Sequence, residues 1–250
     1  MSGPTLTNIS TADPGFFGKL PGQGDFVTRR LPTEFLRVWD PWLQASLTES
    51  REALGDGWLD AYLTSPIWQF VLTGGIAGQT PWAGLLMPSV DRVGRYFPLT
   101  VAGPLPESTN PFHILASAAD WFAKTQTVML AALEGDLTLD EMDTRLLGIG
   151  PVTAPTADRS AADSVTTCEV QGWRLSLQSP ARAPEVLPGL AHRALGEIFF
   201  AYSLWWSEGS DLLPPSLLVC QGLPTDGAFT ALYTGDWSGG QWCDLGSTNG

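Results

Sequence analysis

Residues 67–104 read IWQFVLTGGIAGQTPWAGLLMPSVDRVGRYFPLTVAGP, and the reading of this stretch decides the fold. Ile67–Leu72 is closed by Gly74-Gly75, Ala83–Met87 by Pro88, and Tyr96–Ala102 by Gly103-Pro104. Short apolar and aromatic runs bounded by Gly and Pro predict strands. Upstream, Phe35, Trp39, Trp42, Leu43 and Leu47 recur at helical spacing from Thr33 onward. Pro41 has no N–H for a helix interior, which predicts a kink or a second helix capped by Asp40. Gly55 and Gly57 end that segment, and Trp58–Leu63 predicts a further helical turn before Ser65-Pro66. Gly15–Leu20 is a short apolar run closed by the turn Pro21-Gly22-Gln23-Gly24.

Downstream, Asn110 suits an N-cap and Pro111 the first helical position, with Phe112, Leu115, Ala119, Phe122, Met129 and Leu133 as one stripe. Thr138 and Glu141 form a capping box ahead of Leu139, Met142 and Leu146. Residues 148–166, rich in Pro, Ala, Ser and Thr, predict a mobile surface loop. Trp173, Leu175 and Leu177 alternate as a strand, and Leu190–Trp206 predicts a helix with Ala194, Leu195, Ile198, Phe199 and Tyr202 inward. Leu217–Cys220 and Phe229–Tyr233 predict closing strands. Strands interleaved with long helices predict an α/β layered sheet rather than a bundle or a β-sandwich.

Composition narrows the function. The 250 residues carry 26 acidic and 13 basic side chains, a net charge of −13. That field opposes nucleic-acid binding, which depends on phosphate neutralisation by Lys and Arg. Lys19 and Lys124 are the only lysines, so no polybasic membrane anchor is expected. No window reaches the ~18 apolar residues of a membrane span, and the start of the chain lacks a signal-peptide pattern. A cytoplasmic protein without membrane insertion is expected. With 44% hydrophobic residues the chain is too apolar to be intrinsically disordered. Charge divides unevenly: residues 1–104 are nearly neutral, whereas residues 105–250 carry most of the acid. An anionic ligand would therefore be held by the first part.

The catalytic search is mostly empty. His113 and His192 stand alone in predicted helices, without His, Cys or paired carboxylates at ligand spacing. Cys168, Cys220 and Cys243 form no CxxC pair and read as reduced thiols in strands. No Ser sits in G-x-S-x-G. Around Gly18-Lys19 the Walker spacing fails, and Gly22-Gln23-Gly24-Asp25-Phe26-Val27 lacks the third glycine of a dinucleotide turn. No metal or cofactor is expected. The densest charged cluster in an apolar neighbourhood is Asp91-Arg92-Val93-Gly94-Arg95. Arg92 and Arg95 can hold a carboxylate or phosphate, or an Asp91–Arg pair can pin the loop. Trp39, Trp42, Trp58, Trp68 and Trp82 could together form a recognition face, although each taken singly fits a core better.

The motifs resemble a known family. Gly15-Phe16-Phe17-Gly18-Lys19-Leu20-Pro21, Gly24-Asp25-Phe26 and Trp39-Asp40-Pro41-Trp42-Leu43 are similar to TagF, an accessory protein family of type VI secretion systems. Residues 59–68 and Met87–Leu99 continue the resemblance, which is dense over 15–104 and loose beyond 110. The resemblance implies a three-layer α/β/α sandwich, here with a mixed sheet, in one domain over 15–250 behind a flexible 1–14. It implies a non-enzymatic, post-translational repressor that binds the apparatus's forkhead-associated (FHA) scaffold protein. Some relatives are fused to a phosphatase, and none is read within these residues. Partner contacts are expected at Asp91, Arg92, Arg95, Lys19 and Asp25. Asp244–Gly250 resembles a fragment of an FHA domain, but the rest of that pattern is missing, and the segment reads better as a Gly/Asn turn at a frayed terminus. Two other readings stand beside this one: a nucleotide- or phospho-ligand-responsive switch or enzyme built on the Gly18–Gly24 loop with Arg92 and Arg95, and a structural part of the secretion machine. Oligomeric state has no signature in the sequence.

Overall fold

The computed structural model describes residues 12–153, 179, 183–238 and 242–245. Its centre is one sheet of seven strands in the order β2-β1-β5-β4-β3-β6-β7. These are β1 (Gly15–Gly18), β2 (Val27–Arg29), β3 (Trp68–Leu72), β4 (Trp82–Met87), β5 (Leu99–Pro104), β6 (Tyr202–Ser207) and β7 (Ser216–Gln221). Helices α1 (Thr33–Leu54), α2 (Trp58–Thr64) and α7 (Asp226–Thr234) cover one face, and α3 (Pro111–Ser117), α4 (Ala119–Leu133) and α5 (Leu139–Ile149) cover the other. Helix α6 (Ala183–Ile198) packs on α3. The three-layer sandwich therefore stands. The mixed sheet does not, because every ladder among the described residues is antiparallel. The links 73–81 and 88–98 are too short for the dozen or so residues of a parallel crossover.

Both faces of the central strands are apolar. In β4, Trp82 and Leu86 join the core under α1, while Ala83, Leu85 and Met87 join the core under α4. The first core is aromatic: Trp39 lies against Phe35, Trp42, Phe70 and Trp205 at centroid distances of 4.6–6.2 Å. Its indole donates to Thr100 Oγ1 at 2.8 Å, which satisfies the N–H in an apolar setting. Trp42, Trp58, Trp68 and Trp82 are also buried, so the five tryptophans form core rather than a recognition face. Gly84 of β4 has no room for a side chain, since a Cβ there would meet Phe70 Cζ at 2.6 Å.

Several local expectations change. Helix α1 runs unbroken through Pro41, so no new helix starts at Asp40. The expected single stripe after Asn110 divides at Ala118 into α3 and α4, and Ile114 rather than Leu115 is buried. The run Leu190–Trp206 leaves the helix at Ile198, and Tyr202–Ser207 becomes a strand between β3 and β7. Its aromatic side chains suit a covered strand, and β3 offers an edge to pair with. Of the residues expected inward, Ile198 consequently faces outward, while Tyr202 is buried in the strand. Phe229–Tyr233 is helical, buried at 3–4-residue spacing and stopped by Gly235 in the left-handed region. A short apolar run has no periodicity of its own to choose helix over strand. The Asn110 cap and the Thr138–Glu141 capping box are present as read.

In the 148–166 segment, Gly148 and Ile149 finish α5 and Val152 is buried. The remainder of that segment, the Trp173–Leu177 strand, Cys168, residues 1–11 of the N-terminal segment and Gly246–Gly250 lie outside the described residues. Cys220 sits in β7 with its thiol pushed up to about 11 by burial. Cys243 is exposed and outside any strand.

Candidate functional site

Antiparallel pairing of β1 with β5 sets Phe17 opposite Thr100. The loop leaving β1 therefore meets the loop entering β5, although some 70 residues separate them. Gly18 makes the approach possible. Its φ of 143° and its closeness to the Pro98 carbonyl leave no space for a Cβ.

The second loop closes on itself first. Asp91 Oδ1 accepts from the N–H groups of Val93 at 3.0 Å and Arg95 at 2.9 Å, and Gly94 takes a φ of 83°. The Asp91 N–H donates to the Arg95 carbonyl at 3.0 Å, beside a bridge between Val90 and Tyr96. A short acidic side chain bonding the backbone ahead of it is a common turn device.

The two loops are then tied together. Asp91 Oδ2 accepts from Lys19 Nζ at 2.9 Å and from Arg95 Nε at 2.6 Å. Arg95 also donates to the Gly24 carbonyl, and it stands 3.8 Å from Asp25. The Arg92 N–H donates to the Gln23 carbonyl at 3.0 Å. Ser89 Oγ donates to the Lys19 carbonyl at 2.7 Å, and the Tyr62 hydroxyl bonds both the N–H and the C=O of Ser89. Burial holds the Tyr62 phenol well above its ordinary range. For Asp91, burial alone would raise the carboxyl. The two backbone N–H groups and the Lys19 and Arg95 cations outweigh that and hold it well below the usual carboxylate range.

All five expected residues thus gather at one end of β1 and β5, with different roles. Lys19 and Asp91 are enclosed and brace the loops, so their side chains do not reach the surface. Asp25, Arg92 and Arg95 are exposed. Sequence reading missed Phe26 and Val93. Phe26 stacks on Phe17 at 5.6 Å and meets Phe97 edge-on at 4.8 Å, with Lys19 Nζ 5.0 Å from its ring centre. Even so, 48% of Phe26 and 64% of Val93 remain open to solvent.

The Gly18–Gly24 loop does not hold out a free cation to an anion. The one lysine in it is already paired with Asp91, and Arg95 shares that carboxylate. Elsewhere, His192 Nδ1 lies 2.7 Å from the Tyr202 hydroxyl, and burial followed by the charge of His113 lowers its pKa. Helix α6, which carries His192, packs on α3, which carries His113. An open groove of about 480 Å³ between α1 and α7 is edged by Glu49, Asp226 and Asp236 and contains none of the expected residues. Among the described residues, no cluster of His, Cys, Asp and Glu has metal-site geometry, and no helix is long and apolar enough to cross a membrane.

Comparison with known proteins places this arrangement. No curated protein matches the chain. The crystal structure of PA0076 from Pseudomonas aeruginosa PAO1 is similar, with 35% sequence identity and a TM-score of 0.77 over 94% of this chain and 98% of that one. The model of the TagF N-terminal domain, type VI secretion system-associated, matches residues 15–149. That span opens on the first residue of β1, closes on the last of α5 and contains both braced loops. The chain belongs to the TagF N-terminal domain family associated with type VI secretion.

Proposed function

We propose that this chain restrains a type VI secretion apparatus after translation, by binding its FHA-domain scaffold protein in the cytoplasm and without catalysing a reaction. An accessory role in type VI secretion follows from family membership. The repressor mechanism and the scaffold partner rest on the TagF resemblance of the 15–104 motifs. One structural observation supports binding over chemistry: Lys19, the residue best placed to serve a phosphate, is committed to Asp91 inside the protein. A cation already neutralised by a buried carboxylate gains little from an anionic substrate. The same observation counts against the nucleotide-switch reading.

The test is genetic and biochemical. Deleting the gene raises secretion and overproduction suppresses it, with scaffold phosphorylation unchanged and the scaffold recovered bound to the purified protein. Unchanged secretion in both strains, with an otherwise active apparatus, overturns the proposal. Thermal melting with nucleotides tests the switch: a ligand at 100 times its Kd stabilises by about 2.7 kcal/mol, a readily visible shift.

A further inference from the structure

We infer that the two braced loops form the docking surface, and that its complement is an acidic protein surface with an apolar recess. This rests on the binding reading above and names where the partner sits and what chemistry it offers.

Rigidity is the first observation. Residues 19–26 and 89–97 are cross-tied through Lys19, Asp91, Arg95, Gly24, Gln23 and Ser89, and Tyr62 anchors them to the core. A preorganised surface loses little conformational entropy on binding. The second is what this rigid tip displays. Phe26 is about half exposed and Val93 largely so, although their own loops are tightly cross-tied. Arg92 is exposed and fastened only through its backbone N–H among the hydrogen bonds of the described residues. An aromatic beside an arginine is the usual make-up of an interface hot spot.

Charge supplies the chemistry of the partner. In a chain of net charge −13, the exposed Arg29, Arg92 and Arg95 stand on or next to these loops with Asp25, while Lys19 and Asp91 neutralise each other inside. Arg29 follows on β2, three residues after Phe26, and is exposed. An acidic partner is repelled by the rest of the molecule and attracted here, so the field both orients the encounter and selects the face. Opposed charge at the rim and apolar contact at the centre match the anatomy of protein–protein interfaces.

The experiment measures binding of the purified full-length FHA scaffold protein to the intact chain and to Arg92→Glu, Arg92→Lys, Val93→Asp and Leu212→Asp. Leu212 is exposed in the β6–β7 connection, at the opposite edge of the sheet from β2. Each variant is first shown to melt like wild type. The inference expects Arg92→Glu and Val93→Asp to bind at least about ten-fold more weakly, Arg92→Lys to lose less, and Leu212→Asp to bind normally. Wild-type affinity is expected to fall as salt rises. If wild type binds the scaffold and the folded Arg92→Glu and Val93→Asp variants bind equally well, the surface lies elsewhere and the binding reading survives. If wild type does not bind the scaffold, that reading fails and this inference falls with it. Binding of wild type to phosphatidylserine vesicles or duplex DNA, lost in Arg92→Glu, overturns the protein-partner assignment.

Discussion

Lys19 and Asp91 are 72 residues apart in the chain and 2.9 Å apart in the fold, each almost wholly enclosed. Their pairing joins the loop that leaves β1 to the loop that enters β5. Arg95 adds a second cation to the same carboxylate but stays half exposed. The unequal burial of the two cations makes their removal unequal. Lys19→Met is expected to destabilise by about 3 kcal/mol, the low end for a buried pair losing one member, because Asp91 keeps Arg95 and two backbone N–H groups. Arg95→Met is expected to cost about 1 kcal/mol or less, since water screens its side chain. Urea unfolding of the two variants checks the order.

Stability is expected to fall on acidification in two separate windows. The His192 pKa is held below its ordinary 6.5, so the native state takes up its proton later than the unfolded chain. That contribution is complete above pH 6.5 and is lost as pH falls toward the folded value. Asp91, Glu141 and Asp236 are likewise depressed, from 3.8, 4.5 and 3.8, so their contributions disappear only below that range. Urea midpoints measured from pH 8 downward should show both steps. His192→Asn is expected to flatten the first and leave the second.

Gly18→Ala is expected to prevent stable folding or to cost at least about 3 kcal/mol. The new methyl group would meet the Pro98 carbonyl and Leu99 Cα, both main-chain atoms of the adjoining strand region, at a φ that L side chains rarely adopt. Gly22→Ala, where a Cβ meets open space, is expected to be nearly neutral. Comparing the melting points of the two variants separates a close approach from a general need for glycine in the loop.

In the second core, Phe122→Ala is expected to destabilise by about 3–5 kcal/mol and Ile114→Ala by about 2–5 kcal/mol, as fully buried side chains do. Leu115→Ala, at a half-buried position, is expected to cost clearly less than Ile114→Ala. Equal losses at 114 and 115 would show that the stripe continues unbroken through Ala118.

Local signals alone determined much of this protein. Thr138 with Glu141, Asn110 with Pro111, and Pro88 after β4 act within one turn of chain, so their meaning survives without knowledge of the fold. The Asp91–Arg95 pair was legible for the same reason, being four residues long. The expected stop at Gly103-Pro104 did not hold, because β5 runs through both residues in register with Ala83 and Trp82 of β4. Tertiary structure decided what depended on a neighbour. Tyr202–Ser207 and Phe229–Tyr233 are both short apolar segments. The first became a strand because β3 and β7 supplied hydrogen-bonding partners, and the second a helix because α1 and the aromatic core gave it a face to bury. Lys19 could be named as a basic residue near a turn, but its partner could not. Only the β1–β5 register brings a lysine of one loop to a carboxylate of the other, and no spacing along the chain encodes a contact between strands so far apart.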